Sequence, residues 1–163
     1  MIIMKVAEKV KDWLVDEGMF REKKVDDNVD FHYIIEFPKD NIMDVVKPKG
    51  KDCVIIGCAT QVAQEHIELM LSSTPENRRN FLFDLQFGIN RYFVDFDLNV
   101  NQDILQQFIL TDVIYEDGLT KNELIRTIKR VFKAKLHCIM LIDKKFGKIT
   151  PQEDQSNENS MFV

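Results

Sequence analysis

A helix with apolar residues on two opposite sides needs two partners, and the stretch from Thr74 to Tyr92 reads as such a helix. Thr74 is placed to cap it, and Pro75 suits its first turn. At about 100° per residue, Phe81, Leu82, Leu85, Ile89 and Tyr92 gather on one side. Phe83 and Phe87 fall roughly 165° away, flanked by Asp84, Gln86, Asn90 and Arg91. The first side can cover a sheet. The second is an i and i+4 aromatic pair that must meet another element of the chain, a second copy of it, or a client protein.

The rest of the chain supplies the sheet. Ile3, Val6, Ala7, Val10 and Leu14 repeat at helical spacing with Trp13 beside them, and Gly18 is placed to end the turn, so residues 2 to 17 read as an amphipathic helix. From Val29 to Phe37 the pattern alternates, with Val29, Phe31, Tyr33, Ile35 and Phe37 on one side and Asp30, His32 and Glu36 on the other, until Pro38 ends the strand. Phe20 to Val25 is a candidate edge strand, but the charges of Arg21, Glu22, Lys23 and Lys24 leave it out of the count. Ile42 to Lys47 and Cys53 to Ala59 flank a loop of Pro48, Lys49, Gly50, Lys51 and Asp52 with hairpin composition. Gln64 to Leu71 reads as a short helix leading into the two-faced one. Tyr92 to Val100 alternates again, and Phe108 to Tyr115 follows after a polar connection at Asn99 to Gln106. Thr120 and Glu123 form a capping box, behind which Leu124, Ile125, Ile128, Val131, Phe132, Ile139 and Ile142 hold one face to about Asp143.

This order predicts an α+β domain: helix, three strands, helix, two strands, helix, with a five-stranded, mainly antiparallel sheet and helices packed on one face. At 163 residues and 45% apolar content a single core is expected, spanning residues 1 to 149. Pro151 to Ser160 is rich in Gln, Asn, Ser and acids, so 150–163 is expected to be a disordered acidic tail, with docking of Met161, Phe162 and Val163 as the alternative to an unanchored end. Three of the five net negative charges, Glu153, Asp154 and Glu158, lie in that tail, which leaves −2 on the body and no bulk attraction to DNA or anionic lipid. No window approaches the ~20 apolar residues of a membrane span. Lys5, Glu8, Lys9, Lys11 and Asp12 interrupt any secretory h-region, and Cys53, Cys58 and Cys138 are an odd, scattered set that suits a reducing compartment. The expected location is cytoplasmic, without disulfide or membrane contact.

The element order, with the stretches Phe31-His32-Tyr33, Val46-Lys47-Pro48-Lys49-Gly50-Lys51-Asp52, Glu65-His66-Ile67-Glu68 and Ile114-Tyr115-Glu116-Asp117-Gly118-Leu119-Thr120-Lys121, resembles an uncharacterised archaeal family of unknown function across about residues 2 to 145. The topology is similar to that of bacterial type III secretion chaperones and their non-secretory relatives. The resemblance implies a homodimer that binds proteins or peptides and uses no cofactor. Secretion chaperones belong to bacteria with an injection apparatus, and nothing in this sequence indicates such a client, so the fold carries over and the secretion role does not.

The chemistry-bearing residues are sparse. Cys53 and Cys58 lie five apart on one strand and so point to opposite faces, which defeats a shared metal; Cys138 and His137 stand about 100° apart on a helix with no CxxC or HExxH. His32, His66 and His137 sit on three different elements with no fixed acid partner. Asp95 and Asp97 project together from one strand and are positioned for a divalent ion, but the alternation that buries Phe96 and Leu98 puts carboxylates in water regardless. Neither GxGxxG nor GxxxxGK[ST] occurs. No catalytic residue, metal ligand or cofactor is assigned. The expected function is that of a non-enzymatic, chaperone-like or adaptor homodimer that binds a polypeptide, with Phe83 and Phe87 at the dimer or partner interface. The second reading is nucleic-acid binding by the basic outer side of the last helix, where Arg126, Lys129, Arg130 and Lys133 cluster with His137 and Lys144.

Overall fold

The computed structural model describes residues 2–149, with side chains from Lys5 onward. The expected acidic tail lies outside the described residues. Four helices, α1 (Ile2–Asp16), α2 (Gln64–Ser72), α3 (Pro75–Asn90) and α4 (Lys121–Phe146), accompany six strands, β1 (Phe20–Lys24), β2 (Val29–Glu36), β3 (Ile42–Pro48), β4 (Cys53–Gln61), β5 (Asp95–Asn101) and β6 (Ile104–Tyr115). The strands form one sheet in the order β1-β2-β3-β4-β6-β5, antiparallel throughout.

The helix ends are set by local chemistry. Gly18, at φ 69°, closes α1 with its N–H on Val15 O and the Met19 N–H on Leu14 O, a Schellman pair. Thr74 Oγ1 accepts from the Asn77 N–H at 3.2 Å, and Thr120 Oγ1 accepts from the Glu123 N–H at 3.1 Å. Along the strands, alternation sends Phe31, Tyr33, Ile35, Met43, Val45, Val54, Ile56, Cys58, Phe108 and Leu110 to one face, where they join Val10 and Leu14 of α1, Phe81, Leu85 and Ile89 of α3, and Leu124, Ile128 and Val131 of α4 in the core. The Tyr33 hydroxyl donates to Ala7 O at 2.9 Å and pins α1 across β2.

Several expectations are corrected. The sheet has six strands, because Phe20–Lys24 pairs with β2 despite its charges; an edge strand with one partner tolerates them. The short helix at 64–72 and the two-faced helix at 75–90 are both present as read, so the described residues hold four helices where the expected order counts three. Tyr92 and Phe93 belong to a turn in which Phe93 takes φ 57°, and β5 begins at Asp95. The stretch read as a polar connection is strand on both sides of Gln102 and Asp103, whose positive φ values of 51° and 61° make the primed two-residue hairpin turn without a glycine. On α4 the buried row is Leu124, Thr127, Ile128, Val131, Ala134, Lys135, Cys138 and Ile142, which leaves Ile139 exposed. The alternation of β2 does not leave one face in water: the strand is buried on both faces, His32 included.

Candidate functional site

Helix α3 is clamped on its inner side. Arg78 donates from Nη1 to the carbonyls of Met70 (3.1 Å), Leu71 (3.3 Å) and Ser73 (2.8 Å), a cation on the carbonyl end of α2 that fixes the α2–α3 turn. Against α4 the His137 ring lies on the Gly88 backbone, where a Cβ would stand 1.8 Å from His137 Nε2; only a glycine permits the ring this position. The His137 ring lies 5.7 Å from that of Tyr92, Phe81 meets Phe146 edge-on at 5.0 Å, and Asp84 pairs with Lys145 at 3.1 Å.

With its inner side so fixed, α3 turns Phe83 and Phe87 outward. They are 60% and 65% exposed, and their rings stack on each other at 6.3 Å and 23°. Leu69 and Leu71 of α2 and Met140 of α4 are exposed on the same helical layer. An open pocket of about 470 Å³, lined by Leu69, Ser73, Asn77, Asn80, Lys145 and Phe146, mixes polar and apolar groups.

The other singled-out residues are not brought together. Arg126, Lys129 and Lys133 are exposed on α4, but Arg130 turns to the sheet and pairs with Asp112 at 3.0 Å, and His137 is wedged against α3, so the basic stripe loses two members. His32 Nε2 sits 2.6 Å from Asp44 Oδ1. His66 Nε2 donates to Gly147 O at 2.9 Å with Asp143 at 3.6 Å, tying α2 to the end of α4. Asp95 and Asp97 are exposed on edge strand β5. Cys58 and Cys138 face the same interior between β4 and α4, and burial raises their thiols to about 11 and about 12 respectively. Among the described residues no three His, Cys, Asp or Glu side chains cluster as metal ligands would, and no helix is long and apolar enough to cross a membrane.

Two buried lysines escaped the sequence reading. Lys135 occupies an apolar-row position on α4, is 2% exposed, and donates to Asn41 Oδ1; burial pushes its ammonium below the ordinary lysine value. Lys47 reaches Asp30 at 2.7 Å, Lys51 O at 2.7 Å and Glu116 at 3.6 Å. Burial alone would lower its pKa, but the two carboxylates outweigh that and hold it above the ordinary value. The spacing 124, 128, 131, 135, 138, 142 held a signal for Lys135: a lone cation in an apolar row needs a buried acceptor.

The molecule is thus an α+β protein with a helical layer on one sheet face and an exposed aromatic ridge in that layer. It belongs to the family described as "Uncharacterized conserved protein (DUF2299)", which matches residues 6–142. An uncharacterized protein from Methanothermobacter thermautotrophicus is similar in structure, with a TM-score of 0.84 and 40% identity over 86% of this chain and 98% of that one. YbjN from E. coli aligns at a TM-score of 0.47 and 14% identity over 80% of this chain and 88% of its own. No curated protein matches.

Proposed function

We propose that this protein is a non-enzymatic homodimer that binds polypeptide, in the manner of a chaperone or adaptor, and that Phe83 and Phe87 form the contact between copies. One observation carries the reading: two stacked phenylalanines, each more than half exposed, stand on a helix whose other side is already packed. The resemblance of the sequence to type III secretion chaperones points the same way, with β1 and the separate α2 as additions to the order that carried it. At ~200 Å² per phenylalanine, exposures of 60% and 65% leave ~120 Å² per ring in water. Four rings across a two-fold axis would remove roughly 500 Å², worth about 12 kcal/mol gross at 25 cal/mol per Å². Association costs ~4–15 kcal/mol, so the rings alone bring a dimer to the threshold and neighbours such as Leu69, Leu71 and Met140 decide the surplus.

Sedimentation at tens of micromolar tests this. A dimer is expected for the native chain and a monomer for Phe83→Asp/Phe87→Asp. A native chain that stays monomeric, or a variant of unchanged mass, refutes the interface.

A further inference from the structure

All described helices that touch the sheet do so on one face. Tyr33 meets α1, Asp112 meets α4, and Thr60 and Phe108 lie beside His66 of α2, all on the same side of the alternation. The opposite face carries His32, Ile34, Asp44, Val46, Ile55, Ala59, Ile109 and Val113, and none of its apolar members joins the main core. Side chains on a bare sheet face stand perpendicular to it and keep their tips in water. Here the centre does not. Val46 is 0% exposed, His32 and Asp44 1% and Ile34 7%, whereas Glu22, Asp95 and Asp97, at the two edges of the same face, are open.

Burial at the centre and exposure at the rim is the footprint of a small cover over β2 and β3. Among the described residues no helix supplies it. The stretch 150–163 can: its 14 residues span up to ~46 Å extended, more than the ~30–40 Å width of a domain this size. It opens with a polar run, Pro151 to Ser160, and then presents Met161, Phe162 and Val163 in succession, the composition of a tether carrying an apolar plug.

We propose that Met161, Phe162 and Val163 dock in cis on this second sheet face, over His32, Ile34, Asp44 and Val46, making it an apolar-peptide site filled by the protein's own chain. The site lies on the side of the sheet away from Phe83 and Phe87 and does not depend on dimerisation. A client peptide with a similar apolar triplet would compete with the plug.

Methyl-labelled full chain tests this by NMR. Cross-relaxation between the Phe162 ring and the methyls of Ile34 and Val46 is expected. Phe162→Ala should shift those methyls and leave Leu14 and Leu85 unmoved, and the peptide Glu-Asn-Ser-Met-Phe-Val, added to that variant, should return the shifts. Phe83→Asp/Phe87→Asp should leave the contacts intact, which separates this site from the proposed interface. Absence of Phe162 contacts together with unmoved Ile34 and Val46 methyls would overturn the proposal. So would contacts that arise only between differently labelled molecules, which would assign the cover to a second copy.

Discussion

Replacing Gly88 with alanine should reverse the usual sign of a glycine-to-alanine change in a helix. In an unobstructed helix interior alanine is worth ~1 kcal/mol over glycine. At Gly88 the new methyl would meet one edge of the His137 ring, 1.8 Å from Nε2, 2.6 Å from Cε1 and 2.7 Å from Cδ2, where ordinary contact begins at 3.4 Å. Three ring atoms collide together, so no small tilt relieves them; the imidazole must leave its place between α3 and α4 and give up Tyr92. Overpacking of this kind costs ~1–3 kcal/mol, which exceeds the helix-propensity gain and leaves the variant destabilised by up to about 2 kcal/mol. In a His137→Ala background the obstruction is gone, and Gly88→Ala should stabilise by ~1 kcal/mol. Urea denaturation of the four proteins, followed by helical circular dichroism, gives the coupling directly, expected at ~1–3 kcal/mol. Single and double changes that add to within ~0.5 kcal/mol would show that His137 does not fix the α3–α4 approach.

Three further outcomes follow from the buried groups. Lys47→Ala should cost ~3–5 kcal/mol in denaturant titrations, because it strands Asp30 beside Glu116 with no cation, and a loss below 1 kcal/mol would show that the lysine is not the keystone of that corner. Since Lys47 is held above the ordinary lysine value of 10.5, its contribution is fully present below that pH and fades as pH rises through the folded value; an unchanged denaturation midpoint on strong alkalinisation would contradict this. Cys58 and Cys138, raised to about 11 and about 12, should react slowly with a thiol reagent near neutral pH and rapidly in denaturant, and fast reaction of the native protein would place them nearer the surface than described.

Helices were legible because periodicity and caps agree: Thr74 with Pro75, Thr120 with Glu123 and the Gly18 turn each mark an end that the backbone confirms. Strand boundaries were not, for separate reasons. Phe20–Lys24 has an edge strand's charges, which from sequence alone look like a loop. Gln102 and Asp103 take left-handed backbone without the glycine that usually announces it. Tyr92 and Val94 alternate as strand residues do, yet Phe93 bends the chain between them. Phe83 and Phe87 were placed on the outer side of α3 by angle alone. Lys135 reaches Asn41 from 94 positions away and Lys47 reaches Asp30 from 17, separations no local pattern reports.

Putting all the described helices on one side of the sheet makes the aromatic ridge and the Val46 floor look in opposite directions. Two copies joined ridge to ridge would therefore turn both floors outward, like a pair of hands held back to back. With both floors open, a ligand with two apolar stretches would be gripped twice, the second time without further loss of free motion, strengthening its hold ~10²–10⁴-fold with no new kind of contact. A ligand with one stretch gains nothing from the pairing. The architecture would sort polypeptides by how many greasy segments they carry and how far apart those segments lie.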